Sequence, residues 1–451
     1  MKPHVQKSVL AAIAGVAATA AYFFLPAECP EPAKRTAAVF VFAAFFWACE
    51  IIPLFATSIL VVLFLIFALA APGGPDANAY HAFLAPFSNP VIMLFLGGFA
   101  LAKALQKHRV DQAAMASLMK GFGTRPYSIL LGFILATGFL ALWMSHTAAT
   151  ALMLALVVPV LAKLDADDPF KKALVLAIPF AANIGGIGTP VGTPPNAIAL
   201  GILKDHGIEV HFLAWMRMAV PLALILLIFA SFVLYFMFRP KHKHLPHLAE
   251  RGEKLDSRGR GALAIAVLTV LLWLTSGWHR IPESVVSLLA LGLFAGLGFL
   301  DRKDIAGLHW DILILMWGGL ALGKAMEMSG LGEWLVSLPF FPTGGFELVA
   351  MFALLTVGVS IFVSNTPTAN LLVPLAMSFP GEDKLLLAVV VALSCSFDML
   401  LPVSTPSNAL AFSTGVISAR DMLKSGMIIV AAAIVLLLAG YRFFILSALA
   451  A

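Results

Sequence analysis

The chain has 451 residues, of which 61% are hydrophobic and 12% charged, with a formal net charge of +5 and a mean hydropathy of +0.96. Soluble domains carry roughly 25% charged residues, so a soluble fold of this length has no place to hide so much apolar surface. The composition excludes a soluble protein. The small positive excess reads as the bias that orients membrane helices, not as a nucleic-acid footprint.

A helix needs about 20 apolar residues to cross a bilayer. Runs without Lys, Arg, Asp or Glu meet or approach that length at 8–25, 51–71, 126–162, 218–238, 261–276, 348–380 and 425–441. Alternating segments of the barrel type are absent, so an all-α integral membrane protein is expected. Lys2 and Lys7 precede a first apolar run too long for the core of a cleaved signal peptide, which marks 1–35 as a retained extra N-terminal helix. Cys29, Cys49 and Cys395 have no paired spacing and point to neither a disulfide framework nor a metal site.

Farther along, the chain repeats itself. The segment from Leu94 to Ala104 recurs from Leu315 to Ala325 with seven of eleven positions identical, at an offset of 221. Pro190-Val191-Gly192-Thr193-Pro194-Pro195-Asn196 recurs as Pro402-Val403-Ser404-Thr405-Pro406-Ser407-Asn408, at an offset of 212. Between them lie Ser145-His146-Thr147 and Ser364-Asn365-Thr366, at an offset of 219. Three pairs in one order at nearly one offset mark a duplicated unit, 36–238 and 261–451, joined by a basic loop at 239–260.

Lys and Arg set the expected orientation. With the N-terminus inside, about eleven spans place 21 of the 29 basic residues on the inner side, the sign of bias that membrane proteins show. The apolar stretches 126–162 and 346–380 are then helix–turn–helix elements, the first with both ends inside and the second with both ends outside. The repeats run through the membrane in opposite senses. Inverted repeats of this kind are frequent in secondary transporters, whose sites lie where the repeats meet. Lys34-Arg35 falls outside, against the bias.

Each Ser-X-Thr motif sits near the centre of its apolar stretch, which fits a re-entrant hairpin with its tip at membrane depth. Non-helical backbone survives there only against protein or water, where free N–H groups and hydroxyls can meet an ion. The plain alternative, Ser and Thr bonding back to their own helices, is weakened by the duplication. The second pair of motifs, Gly185 to Asn196 and Leu401 to Asn408, puts Gly and Pro in mid-span, where a helix must unwind. Unwound carbonyls suit Na⁺, and the helix N-terminus after the break suits an anion.

Together these residues resemble the divalent anion:sodium symporter family of dicarboxylate, citrate and sulfate carriers, over essentially the whole chain from about residue 36. The resemblance implies an eleven-helix homodimer with two hairpins that works by an elevator motion in the inner membrane. It implies that Ser145, His146, Thr147, Ser364, Asn365 and Thr366, with Thr193, Pro194, Thr405 and Pro406, bind a small divalent anion. It implies one Na⁺ site beside each tip, with Ser145, Gly186, Gly188, Ser360, Asn365 and Ser404 as ligands. One departure stands out: the family's first tip is usually Ser-Asn-Thr, and His146 replaces the Asn. A neutral imidazole keeps one donor and one acceptor, and a protonated one is a cation that repels Na⁺. The second Na⁺ site is therefore the firmer expectation, and a sodium-independent carrier, proton-coupled or exchanging, is the alternative. Both tips end in Thr, which within the family resembles the carboxylate carriers, so a C4 dicarboxylate such as succinate is expected.

The remaining polar residues read as structural. His242, His244 and His247 fall in the basic loop, and Asp165, Asp167 and Asp168 mark a helix end. Asp311 suits an interface, whereas Asp398 lies near the second break, where a carboxylate is costly and often functional. No zinc-protease spacing and no phosphate-cradling Lys loop occur, which leaves an intramembrane enzyme and an ATP-driven pump without support. A channel fits the paired broken elements less well than alternating access does.

Overall fold

The computed structural model describes residues 3–70, 78–244, 255–338, 342, 344–379 and 384–449, and among these there are helices and no strand. The middle of the expected basic loop, with His247, lies outside the described residues.

In chain order the main helices begin with α1 (Pro3–Phe24), α2 (Glu31–Ala48), α3 (Leu54–Leu65), α4 (Pro90–Lys107) and α5 (Val110–Met119). The first helix–turn–helix follows as α6 (Pro126–Ala141) and α7 (His146–Leu161). The first break separates α8 (Phe170–Gly186) from α9 (Pro194–Asp205), and α10 (Phe212–Met237) completes the first part of the chain. After the basic loop come α11 (Ser257–Leu274), α12 (Glu283–Gly296) and α13 (Trp310–Ser329). The second helix–turn–helix is α14 (Gly345–Ser360) and α15 (Asn365–Met377). The second break separates α16 (Lys384–Ser394) from α17 (Pro406–Ser413), and α18 (Ala419–Leu449) closes the described chain.

Start signals are visible in the residues. Pro126 and Pro406 occupy the first turn of their helices, where a missing N–H costs nothing. Asp256 caps α11 by accepting from the Gly259 N–H at 2.6 Å. Among the described residues, six helical stretches are long and apolar enough to cross a membrane, including Lys7–Phe24, Phe212–Met237 and Ser257–Leu274. Their outward side chains, such as Val16, Phe236 and Leu271, are apolar and exposed, as a lipid-facing surface requires.

Residues 1–92, 197–209 and 309–395 form one compact unit. Here α13 is the central helix, packed along α3 and α15. Close approach is possible because α13 carries glycine at the contacts: a Cβ on Gly318 would collide with Ser58 of α3, and one on Gly319 with the Asn370 carboxamide of α15. Asn370 also donates to the Leu315 carbonyl at 2.9 Å. Both arms of the α14–α15 hairpin pack on α16. Asp311 is an exposed residue of the first turn of α13, 3.9 Å from His309.

Residues 93–196, 210–308 and 396–451 form the second unit. Its core helix α8 is buried on nearly every side, against α6, α7, α10 and α17. Helix α10 packs along α18, and Gly97 of α4 lies against Ser287 of α12. Asp165 and Asp167 pair with His242 and Lys241, which ties the α7–α8 turn to the chain after α10.

Candidate functional site

The second unit gathers the first hairpin tip and both breaks. Its tip consists of residues 142–145, between α6 and α7. Ser145 is the N-cap of α7 and accepts from the Ala148 N–H at 3.3 Å. This capping leaves other first-turn N–H groups and the positive end of the helix dipole at the tip. Thr147, the second residue of the helix, is exposed, and Ser145 and His146 are half-buried.

Glycine lets the tip sit directly on the first break. A Cβ on Gly185 would strike the backbone of Gly138 in α6, and one on Gly192 would strike the carbonyls of Gly186 and Ala141. At Gly186 the space a Cβ needs is filled by the His146 ring, whose Nε2 is buried with no hydrogen-bond partner. Thr189 donates to the Leu142 carbonyl at 2.6 Å, which fastens the tip to the unwound segment.

The freed carbonyls of the break are organised by two residues that sequence reasoning gave no role. Asn196 donates to the carbonyls of Gly186, Ile187 and Thr189 at 3.2, 3.3 and 2.8 Å, and the indole of Trp215 donates to Ile187 at 2.9 Å. A carbonyl has two lone pairs. Ile187 accepts from both Asn196 and Trp215, and Thr189 from both Asn196 and the Gly192 N–H, so the Gly186 oxygen is the one of the three placed to offer a lone pair to a cation. Gly188 is buried beside Leu142. The Thr193 hydroxyl is buried without a partner, and Pro194 opens α9 directly after it.

The second break is built alike. Thr405 caps α17 by accepting from the Asn408 N–H at 3.1 Å, and Pro406 follows as the first helical residue. Asn408 donates to the carbonyls of Asp398 and Leu401, both at 3.0 Å. Ser404 is buried in the turn before α17. Helix α7, which starts at the first tip, packs on α17 as well as on α8. Of the expected residues, the structure thus brings Ser145, His146, Gly186 and Gly188 together around one tip.

The first unit holds the second tip. Asn365 is the first residue of α15, buried to 8% exposure, and Ser364 and Thr366 flank it half-buried. Ser360 donates to the Cys395 carbonyl at 2.7 Å and approaches the Asn365 side-chain oxygen at 3.4 Å. Ser360 and Asn365 are therefore neighbours, and both present oxygen. Oxygen donors of this kind fit Na⁺. The first tip offers the Ser145 hydroxyl and the Gly186 and Gly188 carbonyls, but an imidazole nitrogen where the second tip has a carboxamide.

Among the described residues no cluster of His, Cys, Asp and Glu is arranged to hold a metal ion. Asn196 and Asn408 could have been found from the sequence, because both close the motif that recurs at an offset of 212. Asn183, which bonds to Asp398 and Asn408 inside the second unit, carried no such signal.

The fold and these broken, glycine-packed helices define a multi-pass membrane transporter. The chain belongs to the family described as the sodium:sulfate symporter transmembrane region, which matches residues 6–448. It is 31% identical over 450 residues to a sodium-dependent dicarboxylate transporter, SdcS, of Staphylococcus saprophyticus, covering 89% of this chain and 84% of that one. The SdcS protein of Staphylococcus aureus strain USA300 is also 31% identical, over 457 residues, covering 90% of this chain and 84% of that one. Two solved structures share the fold. They are the YdaH transporter of Alcanivorax borkumensis, with a TM-score of 0.58 at 13% identity over 86% of this chain and 98% of that one, and MtrF of Neisseria gonorrhoeae, with 0.59 at 12% over 93% and 96%. The relatives are transporters, and the chain is a transporter, not an enzyme.

Proposed function

We propose that the protein is a Na⁺-coupled carrier of small divalent anions, C4 dicarboxylates such as succinate first, working by elevator-type alternating access. The observation that carries this reading is the first tip. A capped helix N-terminus, aimed out of an apolar hairpin, is pressed by glycine contacts onto unwound carbonyls. Such a junction offers N–H groups to a carboxylate and carbonyl oxygen to Na⁺ within one element. The names of the staphylococcal relatives agree with both ligands.

Ser145, His146 and Thr147, with Thr193, Pro194, Thr405 and Pro406, are the substrate contacts proposed in the second unit, and Ser364, Asn365 and Thr366 those in the first. Na⁺ is assigned to Ser145, Gly186 and Gly188 at the first tip and to Ser360 and Asn365 at the second, and Ser404 is the ligand proposed at the second break. The second set is the firmer one because Ser360 and Asn365 already stand together. A homodimer in the inner membrane, with a cytoplasmic N-terminus and inverted repeats at 36–238 and 261–451, completes the reading.

His146 supports a second reading, a sodium-independent carrier. Its ring fills the Cβ space of Gly186 and brings nitrogen where Na⁺ prefers oxygen. Succinate uptake into proteoliposomes, under an inward Na⁺ gradient and a matched K⁺ control, decides between the two. Uptake that requires Na⁺ supports the symporter. Uptake indifferent to Na⁺ but stimulated by preloaded succinate or a proton gradient selects the second reading, and uptake of sulfate without dicarboxylates overturns the substrate.

A further inference from the structure

Asp398 is fully buried in the unwound segment before α17. Its Oδ1 accepts from the Asn183 carboxamide of α8 at 3.1 Å, and the same nitrogen approaches the Asn408 oxygen at 3.5 Å. Both donors of Asn408 are committed elsewhere, to the Asp398 and Leu401 carbonyls. Asn183 therefore turns its only donor nitrogen towards two acceptors, while its own Oδ1 is buried with no hydrogen-bond partner. Ser396, two residues before Asp398, and Ser407, next to Asn408, are fully buried, and their hydroxyls also lack partners.

This is an excess of oxygen. The Asp398 carboxylate and the Asn408 carboxamide oxygen both face the Asn183 nitrogen. The unpartnered Asn183 oxygen and the Ser396 and Ser407 hydroxyls belong to the same residues or to close chain neighbours, at a break that frees backbone carbonyls. A buried carboxylate is costly at membrane depth, and an acceptor without a donor adds to the cost. A hard monovalent cation removes both penalties at once. The basic side chains on the helices around the cluster stand near helix starts: Lys171 and Lys172 on α8, Arg217 in the second turn of α10, and Arg420 and Lys424 on α18. Lys172 is engaged by Asp421 at 3.0 Å.

We propose that Asp398, Asn183 and Asn408 form a Na⁺-binding site within the second unit, beyond the ligand sets assigned to the two hairpin tips. The assignment deepens the reading of the chain as a Na⁺-coupled carrier and rests on it. The site joins α8 to the segment before α17, so Na⁺ bound there ties the two breaks together. It also supplies a positive charge to a region whose first tip carries an imidazole in place of a carboxamide.

The test reads Na⁺ binding without transport. Purified full-length protein in detergent is titrated with NaCl against choline chloride at constant ionic strength, and its melting temperature is followed. D398N keeps the size and the acceptor oxygen but removes the charge. It is expected to raise the Na⁺ concentration for half-maximal stabilisation tenfold or more and to lower the Hill coefficient by about one, the loss of a single site. In choline it is expected to melt at or above the wild-type temperature. N183A, which removes one oxygen ligand and leaves the carboxylate, is expected to raise the half-maximal concentration severalfold, and it decides the matter if D398N does not fold. Superposable Na⁺ titrations of wild type and the variants overturn the site, as does an equal loss of stability in both salts. If D398N changes only the pH dependence in choline, the carboxyl carries a proton and the Na⁺ site is likewise overturned. Absence of succinate uptake by the wild type, with Na⁺ stabilisation intact, would sink the succinate-carrier reading and leave this site standing.

Discussion

Asn196 donates to the Gly186 carbonyl at 3.2 Å, ten residues back along the chain, and Asn408 makes the same reach to the Asp398 carbonyl at 3.0 Å. Each also reaches back seven residues, to Thr189 at 2.8 Å and to Leu401 at 3.0 Å. A helix interrupted at membrane depth frees carbonyls that no water can satisfy. In both breaks a carboxamide at the start of the next helix meets much of that need, joined at the first break by the Trp215 indole, and its reach spans the interruption.

N196A is expected to strip the Gly186 carbonyl of this donor and to leave Thr189 with the Gly192 N–H alone. An unsatisfied buried acceptor costs about 1–3 kcal/mol, so the variant should melt at a lower temperature in detergent and lose most substrate uptake. N196D, which cannot donate, should behave the same way. Wild-type uptake by either variant would show that the break holds its shape without the clamp.

Gly186 is irreplaceable as long as His146 is present. G186A forces a methyl group into the imidazole, and uptake should fall at least tenfold. Shortening the ring in the double variant with H146A should restore part of the stability that G186A loses. Additive losses in the melting temperatures of the two single variants and the double would contradict direct contact.

H146N rebuilds a Ser-Asn-Thr tip. Added oxygen at the first tip should steepen the Na⁺ dependence of uptake, raising the Hill coefficient by about one. An unchanged Na⁺ curve would mean that the imidazole does not decide ion use at this tip.

Ser360 supplies a hydroxyl between the Cys395 carbonyl and Asn365. S360A should raise the half-maximal Na⁺ concentration for uptake severalfold. S360T keeps the hydroxyl and should shift it less, a rescue that a purely packing role would not give.

Outside the membrane, Asp301 is held down to about 2, chiefly by its hydrogen bond from Lys107. Lys107 donates to Asp301 at 3.0 Å and also bonds Asp304. A depressed carboxylate contributes its stabilisation fully above its ordinary 3.8, and loses it as pH falls through about 2. The melting temperature of the wild type should therefore drop more steeply than that of D301N between these two values. Parallel curves would remove Asp301 from the acid response.

Much of the architecture could be read from residue order alone. Apolar runs of spanning length required helices, because a bilayer leaves no other partner for backbone polar groups. Breakers at Gly185–Gly186 and at Pro402 marked the interruptions, since Gly and Pro act through their own backbone and need no tertiary context. The Ser-X-Thr motifs marked the hairpin turns, because a short polar side chain at the centre of an apolar run has few other uses.

Only the tertiary structure decided how those interruptions are held. The contact of Gly186 with His146, 40 positions away in sequence, and of Asn183 with Asp398, 215 away, depends on which helices pack together. Local propensity carries no record of such distances. The sequence by itself determined that this is an all-helical membrane transporter with broken spans, because the bilayer constrains each segment independently. Which buried oxygens and nitrogens meet at the breaks was decided by packing, because a hydrogen bond needs its partners within about 3 Å and only the folded chain brings them there.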